Sequence, residues 1–355
     1  MKQRKRITIK DIAQHLKISP MTVSRALSDN PKARVRLTTK QRVLKTASKL
    51  GYYPDLLARA VAMRKSGFWG MLTFGISDPI QASYVEGMMI EAERRGYQLI
   101  MGLINTSYSQ NLRDNLPLQI RQMISRGVDG LIIHMPGEAD ESKVIPEAVK
   151  DMVPIIAFNR AVEGISSVAV DRAAGICEAT EHLIRLGYRR IGFVRGRGNS
   201  VTAEAKWQGY LRAVEAHGLT PERTVPRSST LETGYRTGIR LGRMSDRPEA
   251  FICMGDLPAI GICRGLQEAG VRVPEEVGVV GFDGLEIGAY CVPPLTSVAH
   301  PVEEICREAA KLLIDQLNGG GEVRQVMVRP RLVVRQSCGA NAMRFSRTKS
   351  ERGHI

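Results

Sequence analysis

The hydrophobic pattern of residues 8–50 predicts three short helices separated by brief turns. Thr8 is followed three residues later by Asp11, a capping-box pattern that marks the start of the first helix. The third helix is predicted to begin at Thr38 and to end at Gly51, because glycine commonly terminates helices. Two short helices that are joined by a tight turn and braced by a third form a helix-turn-helix unit. A generic three-helix bundle is the alternative.

The second helix leaves part of its surface available for a partner. Ser19 is placed to cap it, and Pro20 follows in the first turn, where the missing N–H of proline costs nothing. Val23 and Leu27 are predicted to point inward. The side chains that are predicted to face outward near the start of this helix are Pro20, Met21, Ser24 and Arg25.

From Phe68 onward, short apolar runs alternate with helical stretches. The runs are GMLTFGI, YQLIMGLI, DGLIIH, VPIIAF, SSVAV, RIGFV, AFICMG and VGVVGF. This alternation predicts an α/β fold with parallel sheets that helices cover on both faces. A break near residues 159–164 indicates two similar lobes, which would place a ligand cleft outside the carboxyl ends of the strands.

Length and composition are those of a folded protein with a sizeable core: 355 residues, 43% of them hydrophobic and 25% charged. The N-terminal sequence MKQRKRITIK lacks the apolar stretch of a signal peptide, and no apolar run is long enough for a membrane span. The six cysteines have no CxxC spacing and are expected to be reduced thiols. We therefore expect a cytoplasmic protein with no membrane partner.

The positive charge is concentrated at one end of the chain. Residues 1–66 hold 17 Lys and Arg against three Asp, whereas residues 67–339 are nearly neutral and the chain as a whole carries +15. A small module with this surplus is typical of proteins that bind a polyanion. Double-stranded DNA is the partner that a helix-turn-helix predicts, and anionic membrane headgroups are the rival.

Sequence motifs of catalysis are missing. The glycines of Arg195-Gly196-Arg197-Gly198 lack the third glycine of a dinucleotide site, and there is no Walker loop, GxSxG or HExxH motif. The six histidines are isolated in the sequence, so no metal site and no cofactor are predicted. An α/β enzyme with an added regulatory domain stays the weaker hypothesis.

Segments along nearly the whole chain resemble the lactose-repressor (LacI/GalR) family. KDIAQHLKISPMTVSRAL and LGYYPD resemble its DNA-binding headpiece, and ARAVAMRKSG at 58–67 resembles the linker in which the family forms a hinge helix. The core segments that resemble the family are VDGLII at 128–133, EHLIRLGYRRIGFV at 181–194, DLPAIGICRGLQEAGVRVPEEVGVVGFD at 256–283, PPLTSVAHPVEE at 293–304 and LVVRQS at 332–337.

The resemblance implies an architecture and a function. It implies a helix-turn-helix headpiece over residues 1–54, a hinge over 55–67, a two-lobed core like periplasmic binding proteins over 68–339, and a basic disordered tail over 340–355. It further implies a homodimer or tetramer that represses transcription from operator DNA under the control of a small effector. The effector is expected to be a sugar, a sugar acid or a phosphosugar, and the controlled genes those of carbohydrate metabolism.

DNA-contacting residues are implied by the same resemblance. Arg25 can donate two hydrogen bonds to guanine, and Met21 can contact a thymine methyl group, although packing between helices is the alternative for Met21. In the hinge, Val61 stands where the family inserts a leucine between base pairs, and valine has less reach. The full set is Thr8, Ser19, Pro20, Met21, Thr22, Arg25, Asn30, Arg59 and Val61.

Effector-contacting positions of the family fall on residues of both lobes. The family's common aromatic platform is replaced by Ile80 and Gln81, so stacking on a sugar ring is weakened. Arg160 and Lys206 could hold a carboxylate or phosphate, which favours an anionic effector; alternatively, they pair only with an acid across the empty cleft. The full set is Ile80, Gln81, Asn159, Arg160, Thr202, Lys206, Asp256 and Asp283.

A binding protein that uses its basic end only as a membrane anchor is a further hypothesis. Such an anchor would be one continuous amphipathic helix, whereas this segment contains predicted caps and an interior turn. Binding to a defined duplex in preference to anionic vesicles would distinguish the two.

Overall fold

The computed structural model describes residues 7–27, 35–52, 65–104, 112–135, 145, 152–196, 200–222 and 227–340, without the side chains of 112–114. The chain divides into two compact units, Met1–Ser66 and Gly67–Ile355.

In its described residues, the first unit contains three helices around a small apolar core. They are α1 (Ile9–Leu16), α2 (Pro20–Leu27) and α3 (Leu37–Leu50). The buried side chains that hold them together are Ile12, Ala13, Val23, Ala26, Val43 and Ala47. All three helices were predicted, because each buries one stripe of residues at helical spacing.

The ends of these helices follow the sequence signals with one exception. Asp11 N–H donates to Thr8 Oγ1 at 3.4 Å, and Thr8 N–H donates to Asp11 Oδ2 at 2.7 Å, which completes the capping box. Helix α3 ends at Gly51, which has φ +68°. It begins one residue before the predicted Thr38, because Lys40 N–H already bonds to the carbonyl of Arg36 at 3.0 Å.

The second unit is built on two sheets, one in each of two lobes. The first sheet has the strand order β10-β5-β4-β3-β1-β2, and all of its neighbouring strands are parallel. Its strands are β1 (Phe68–Thr73), β2 (Gln98–Leu103), β3 (Gly130–His134), β4 (Ile155–Phe158), β5 (Ser166–Val170) and β10 (Gln325–Val328).

The second sheet has the order β11-β9-β8-β7-β6. Its strands are β6 (Ile191–Val194), β7 (Ala250–Cys253), β8 (Gly278–Asp283), β9 (Thr296–Ala299) and β11 (Arg331–Val333), of which β11 alone runs antiparallel to its neighbour. Each of the apolar runs in the sequence overlaps one of β1 to β8. Strands β9, β10 and β11 were not predicted.

Helices cover both sheets. Three bury apolar side chains in the first lobe: α4 (Pro79–Arg94), α5 (Leu112–Ser125) and α10 (Val302–Leu317). Four helices bury apolar side chains in the second lobe: α6 (Arg172–Arg185), α7 (Val201–Ala216), α8 (Leu231–Gly242) and α9 (Asp256–Glu268). A short 3-10 helix spans Glu286–Ala289. No helix in the described part of the chain is long and apolar enough to cross a membrane.

The chain crosses between the lobes three times: after β5, after β9 and after β10. The sequence pattern had predicted the first crossing near residues 159–164. It falls at Asp171 instead, because β5 still belongs to the first sheet. Residues just after β5 and β9 therefore lie where the two lobes meet.

Candidate functional site

The exposed face of α2 carries the residues that were predicted to read DNA. Pro20, Met21 and Arg25 are exposed, as are Ser19 and Ser24 beside them. The Met21 side chain is 64% exposed, so it does not pack between helices. Thr22 N–H donates to Ser19 Oγ at 3.1 Å, which caps α2 as expected and holds both hydroxyls at the helix start.

This unit is basic in its described part as well. Residues 7–27 and 35–52 carry eight Lys and Arg but a single acidic residue, Asp11, whose carboxylate is engaged in the capping box. The described helices α1 and α2 have eight residues each and are separated by residues 17–19, of which Lys17 is left-handed at φ +54°. This geometry is unlike the continuous helix of an interfacial membrane anchor.

Other predicted DNA-contacting residues and segments lie outside the described residues. These are Asn30, Arg59 and Val61, most of the predicted hinge over 55–67, and nearly all of the basic tail over 340–355.

The second candidate site is a group of buried polar side chains in the cleft between the two lobes of the core. His134 is the last residue of β3, Asn159 follows β4, and Arg172 follows β5. From the second sheet, Asp283 ends β8 and His300 follows β9. All five therefore lie at carboxyl ends of parallel strands, where α/β folds bind ligands.

Arg172, Asn159 and His134 form a hydrogen-bonded chain. Arg172 Nη1 donates to the carbonyls of Asn159 at 3.2 Å and Val170 at 3.4 Å, and its Nη2 donates to Asn159 Oδ1. With that oxygen occupied, Asn159 Nδ2 donates to His134 Nε2 at 2.8 Å. Burial lowers the pKa of His134 to about 4, so its ring is neutral at pH 7.

A second connection links the lobes through His300. Tyr84 Oη on α4 lies 2.5 Å from His300 Nδ1, and His300 Nε2 lies 3.6 Å from Asp283 Oδ1. Burial lowers the pKa of His300 and raises that of Tyr84. The phenol therefore stays protonated, and its O–H donates a hydrogen bond to the neutral imidazole. First-lobe and second-lobe groups thus meet at one imidazole.

Lys206 reaches the same cleft from α7. Its Nζ donates to the carbonyl of Met254 at 2.6 Å and lies 3.6 Å from the centre of the Phe282 ring, over its face. Burial lowers the pKa of Lys206 to about 8 and raises that of Asp283 to about 7. No described carboxylate lies within 4.0 Å of Lys206 Nζ, so the direct ion pair that was the alternative for this lysine is not formed.

Asp256 is placed differently from the other predicted cleft residues. It is fully buried at the start of α9, where Oδ1 accepts from Ser297 Oγ at 2.6 Å and Oδ2 accepts from Leu285 N–H at 2.7 Å. Burial raises its pKa to about 6. One oxygen thus holds the loop after β8 and the other holds β9, and the carboxylate braces the site.

The remaining predicted residues line the same ends of the two sheets. Ile80 packs against the first-lobe core, and Gln81 Oε1 accepts from Thr73 Oγ1 at 3.3 Å. Thr202 Oγ1 lies 3.1 Å from Ser200 Oγ at the start of α7, and Arg160 is half-buried directly after Asn159.

Four buried groups were missed in the sequence: Tyr84, His134, Arg172 and His300. His134 lies at the end of a predicted strand, and Arg172 lies just after another. His300 lies just after β9. The carboxyl-end rule could therefore have found His134 and Arg172, whereas His300 follows a strand that was not predicted.

Comparison with known proteins assigns the family. A sequence model of "Bacterial regulatory proteins, lacI family" matches residues 8–55, and one of "Periplasmic binding protein-like domain" matches residues 180–338. Catabolite control protein A of Priestia megaterium is 31% identical over 317 residues, which cover 88% of this chain and 93% of that protein. The chain belongs to the LacI family. The resemblance inferred from its motifs is thereby confirmed.

Other relatives agree with this LacI-family assignment. The HTH-type transcriptional repressor CytR of Escherichia coli K12 is 29% identical over 90% of this chain and 92% of its own length. The lac repressor dimer bound to operator and an anti-inducer has a TM-score of 0.83 at 22% identity, over 94% of this chain and 99% of that one. The complex of the regulator CelR with cellobiose has a TM-score of 0.67 at 26% identity, over 94% and 100%. The predicted fold class is confirmed, and the named relatives are transcription regulators rather than enzymes.

Proposed function

We propose that this LacI-family chain is a sequence-specific DNA-binding repressor whose operator affinity is set by a small sugar or sugar-acid effector in the cleft. The observation that carries the proposal is the exposed face of α2 with Arg25, within a basic headpiece that the family model of the helix-turn-helix matches. We further propose the boundaries 1–54, 55–67 and 68–339 for headpiece, hinge and core.

The headpiece reads DNA through α2 in the major groove. Exposed Arg25 donates to a guanine edge, and Met21 contacts a thymine methyl. Ser19 and Thr22, at the helix start, bind phosphate oxygens and set the register of the helix. The remaining proposed contacts are made by Thr8, Pro20, Asn30, Arg59 and Val61.

The repressor acts as a homodimer or a tetramer of such dimers, because one headpiece spans only a half-site. A solved relative, the lac repressor, is described as a dimer bound to operator. In this chain, Tyr290 and Val292 of the second lobe are 78% and 80% exposed, and Ile287 lies near them in the sequence at 54%. Exposed apolar side chains of this size suit contact with a second copy.

The effector acts by favouring one arrangement of the two lobes. Tyr84, His300 and Asp283 already join the lobes, so a ligand that bonds to groups on both sides changes the balance between open and closed forms. Regulation requires only that the balance between open and closed forms also changes the affinity of the headpieces for operator DNA.

Selection of bound duplexes from a random pool tests the proposal. The full-length chain should enrich one near-palindromic sequence, and Arg25→Ala should weaken its binding by about 1–3 kcal/mol and relax the preference at one base pair per half-site. Arg42→Ala, an exposed change on α3, is the matched control and should leave base preference unchanged. Enrichment of no sequence, or identical preferences for wild type and Arg25→Ala, would refute the proposal.

A further inference from the structure

Arg172 is a buried cation that has no direct counter-ion among the described residues. The residue is 7% exposed, and its hydrogen bonds go to two backbone carbonyls and one amide oxygen, all of them neutral. Among the described residues, no carboxylate lies within 4.0 Å of its guanidinium. A charge that is removed from water in this way is costly unless an anion or a set of strong hydrogen bonds compensates it.

The nearby acids are already engaged. Asp256 accepts hydrogen bonds on both oxygens from Ser297 and Leu285. Asp283 accepts the backbone N–H of Asp256 and faces His300 at 3.6 Å. In the part of the chain that the structure describes, no acid therefore forms a direct ion pair with Arg172.

Lys206 raises the cost further. It is 6% exposed, and it is close enough to Arg172 that the guanidinium contributes to lowering the Lys206 pKa. The two cations thus repel each other across the cleft, one from the start of α6 and one from α7. An anion bound between them would offset this repulsion and add to the negative charge of Asp283, which raises the pKa of both cations.

His134 has a ring nitrogen without a hydrogen-bond partner among the described residues of the same network. Because Asn159 donates to Nε2, the neutral ring carries its proton on Nδ1, and that buried nitrogen has no hydrogen-bond partner among the described residues. The rings of Phe74, Tyr84 and Phe158 surround the imidazole at 6.0–6.4 Å between centroids. The network that holds the Arg172 guanidinium thus ends at a buried donor that has no acceptor among the described residues.

We propose that Arg172 anchors the effector by its anionic group, a carboxylate or a phosphate, which binds between Arg172 and Lys206. This inference rests on the proposed function, since it takes the cleft to be the effector site. Asn159 and His134 position the guanidinium, and Asp283, whose side chain is 20% exposed, accepts from a sugar hydroxyl. The effector class is thus a sugar acid or a sugar phosphate, and Arg172 distinguishes it from the neutral sugar.

The test is calorimetry of the full chain at pH 7.5 and constant ionic strength, with D-gluconate, D-galactonate, D-glucose 6-phosphate and their neutral parent sugars. At least one anion should bind tenfold or more tightly than its parent. The carboxylate and phosphate arms show which anionic group is used. Equal or weaker binding of every anion would overturn the inference.

Three variants assign the preference to Arg172. Arg172→Gln should remove the difference between the anion and its parent, and Arg172→Lys should retain part of it, because the charge remains but the planar fork is lost. Arg185→Gln, the same change at the exposed end of α6, is the control and should keep the full difference. A full anion preference in Arg172→Gln would overturn the proposal.

Loss of folding in Arg172→Gln would be seen in its thermal unfolding curve. In that case Lys206→Met, on a different helix, provides the second measurement, and an unchanged anion preference there would again contradict the inference. Duplex binding is measured in parallel, both with and without the ligand. Failure to bind DNA would refute the proposed function, whereas intact DNA binding without anion preference would refute only this inference.

Discussion

The carboxyl of Asp256 gives the most quantitative prediction about the core. It is fully buried, and burial raises its pKa to about 6, compared with about 3.9 for an unfolded aspartate. The folded protein therefore binds this proton more tightly than the unfolded chain does. The associated stability is present below about pH 4 and is lost as the pH rises through about 6.

The magnitude follows from the shift. Each pKa unit corresponds to about 1.4 kcal/mol, so a shift of about two units is worth about 3 kcal/mol of unfolding free energy. Asp256→Asn cannot titrate and can still bond to Ser297 and Leu285 through its amide. The difference in unfolding free energy, variant minus wild type, should therefore rise by up to about 3 kcal/mol between pH 4 and pH 7.

Urea unfolding followed by tryptophan fluorescence measures this difference, because both tryptophans, Trp69 and Trp207, lie in the core unit. Titrating groups that do not interact with Asp256 cancel when variant and wild type are compared at each pH. Asp246→Asn, at a side chain that is 85% exposed, is the control and should change the difference by less than about 1 kcal/mol. A pH-independent difference for Asp256→Asn would refute the reasoning.

Three further changes test other contacts. Tyr84→Phe should lower the unfolding free energy by about 1–3 kcal/mol, because His300 loses its buried donor; an unchanged urea midpoint would contradict this. Gly209→Ala should destabilise the second lobe, since a Cβ there would lie 2.2 Å from the carbonyl oxygen of Ala173; unaltered thermal unfolding would contradict it. Val61→Ala should reduce operator bending in a circular-permutation gel while effector binding persists; undiminished bending would show that the hinge does not intercalate.

Local patterns predicted the elements of this fold that bury a regular stripe or run. Helices α1 to α3 and strands β1 to β8 were recognised because their apolar spacing is continuous. Strands β10 and β11 were missed because they are partly exposed at sheet edges, and β9 because half of its four residues are polar.

The candidate cleft could be predicted only in part. Lys206 and Asp283 were found through family positions, but Arg172 and His134 are single polar residues at the ends of apolar runs. Tyr84 and His300 are 216 residues apart and meet only through the crossing between lobes. Their roles depend on burial and on hydrogen-bond partners, which neither spacing nor composition encodes.

The measurement that tests the central claim most directly is the affinity of the full-length chain for its selected operator and for a scrambled duplex, at 50 and 200 mM salt. The account predicts that the operator binds at least about a thousandfold more tightly than the scrambled duplex at the same salt concentration. Both affinities should fall steeply with salt, by roughly a thousandfold if six or more phosphates are contacted. Equal affinity for the two duplexes at both salt concentrations, with tighter binding to anionic vesicles, would contradict it.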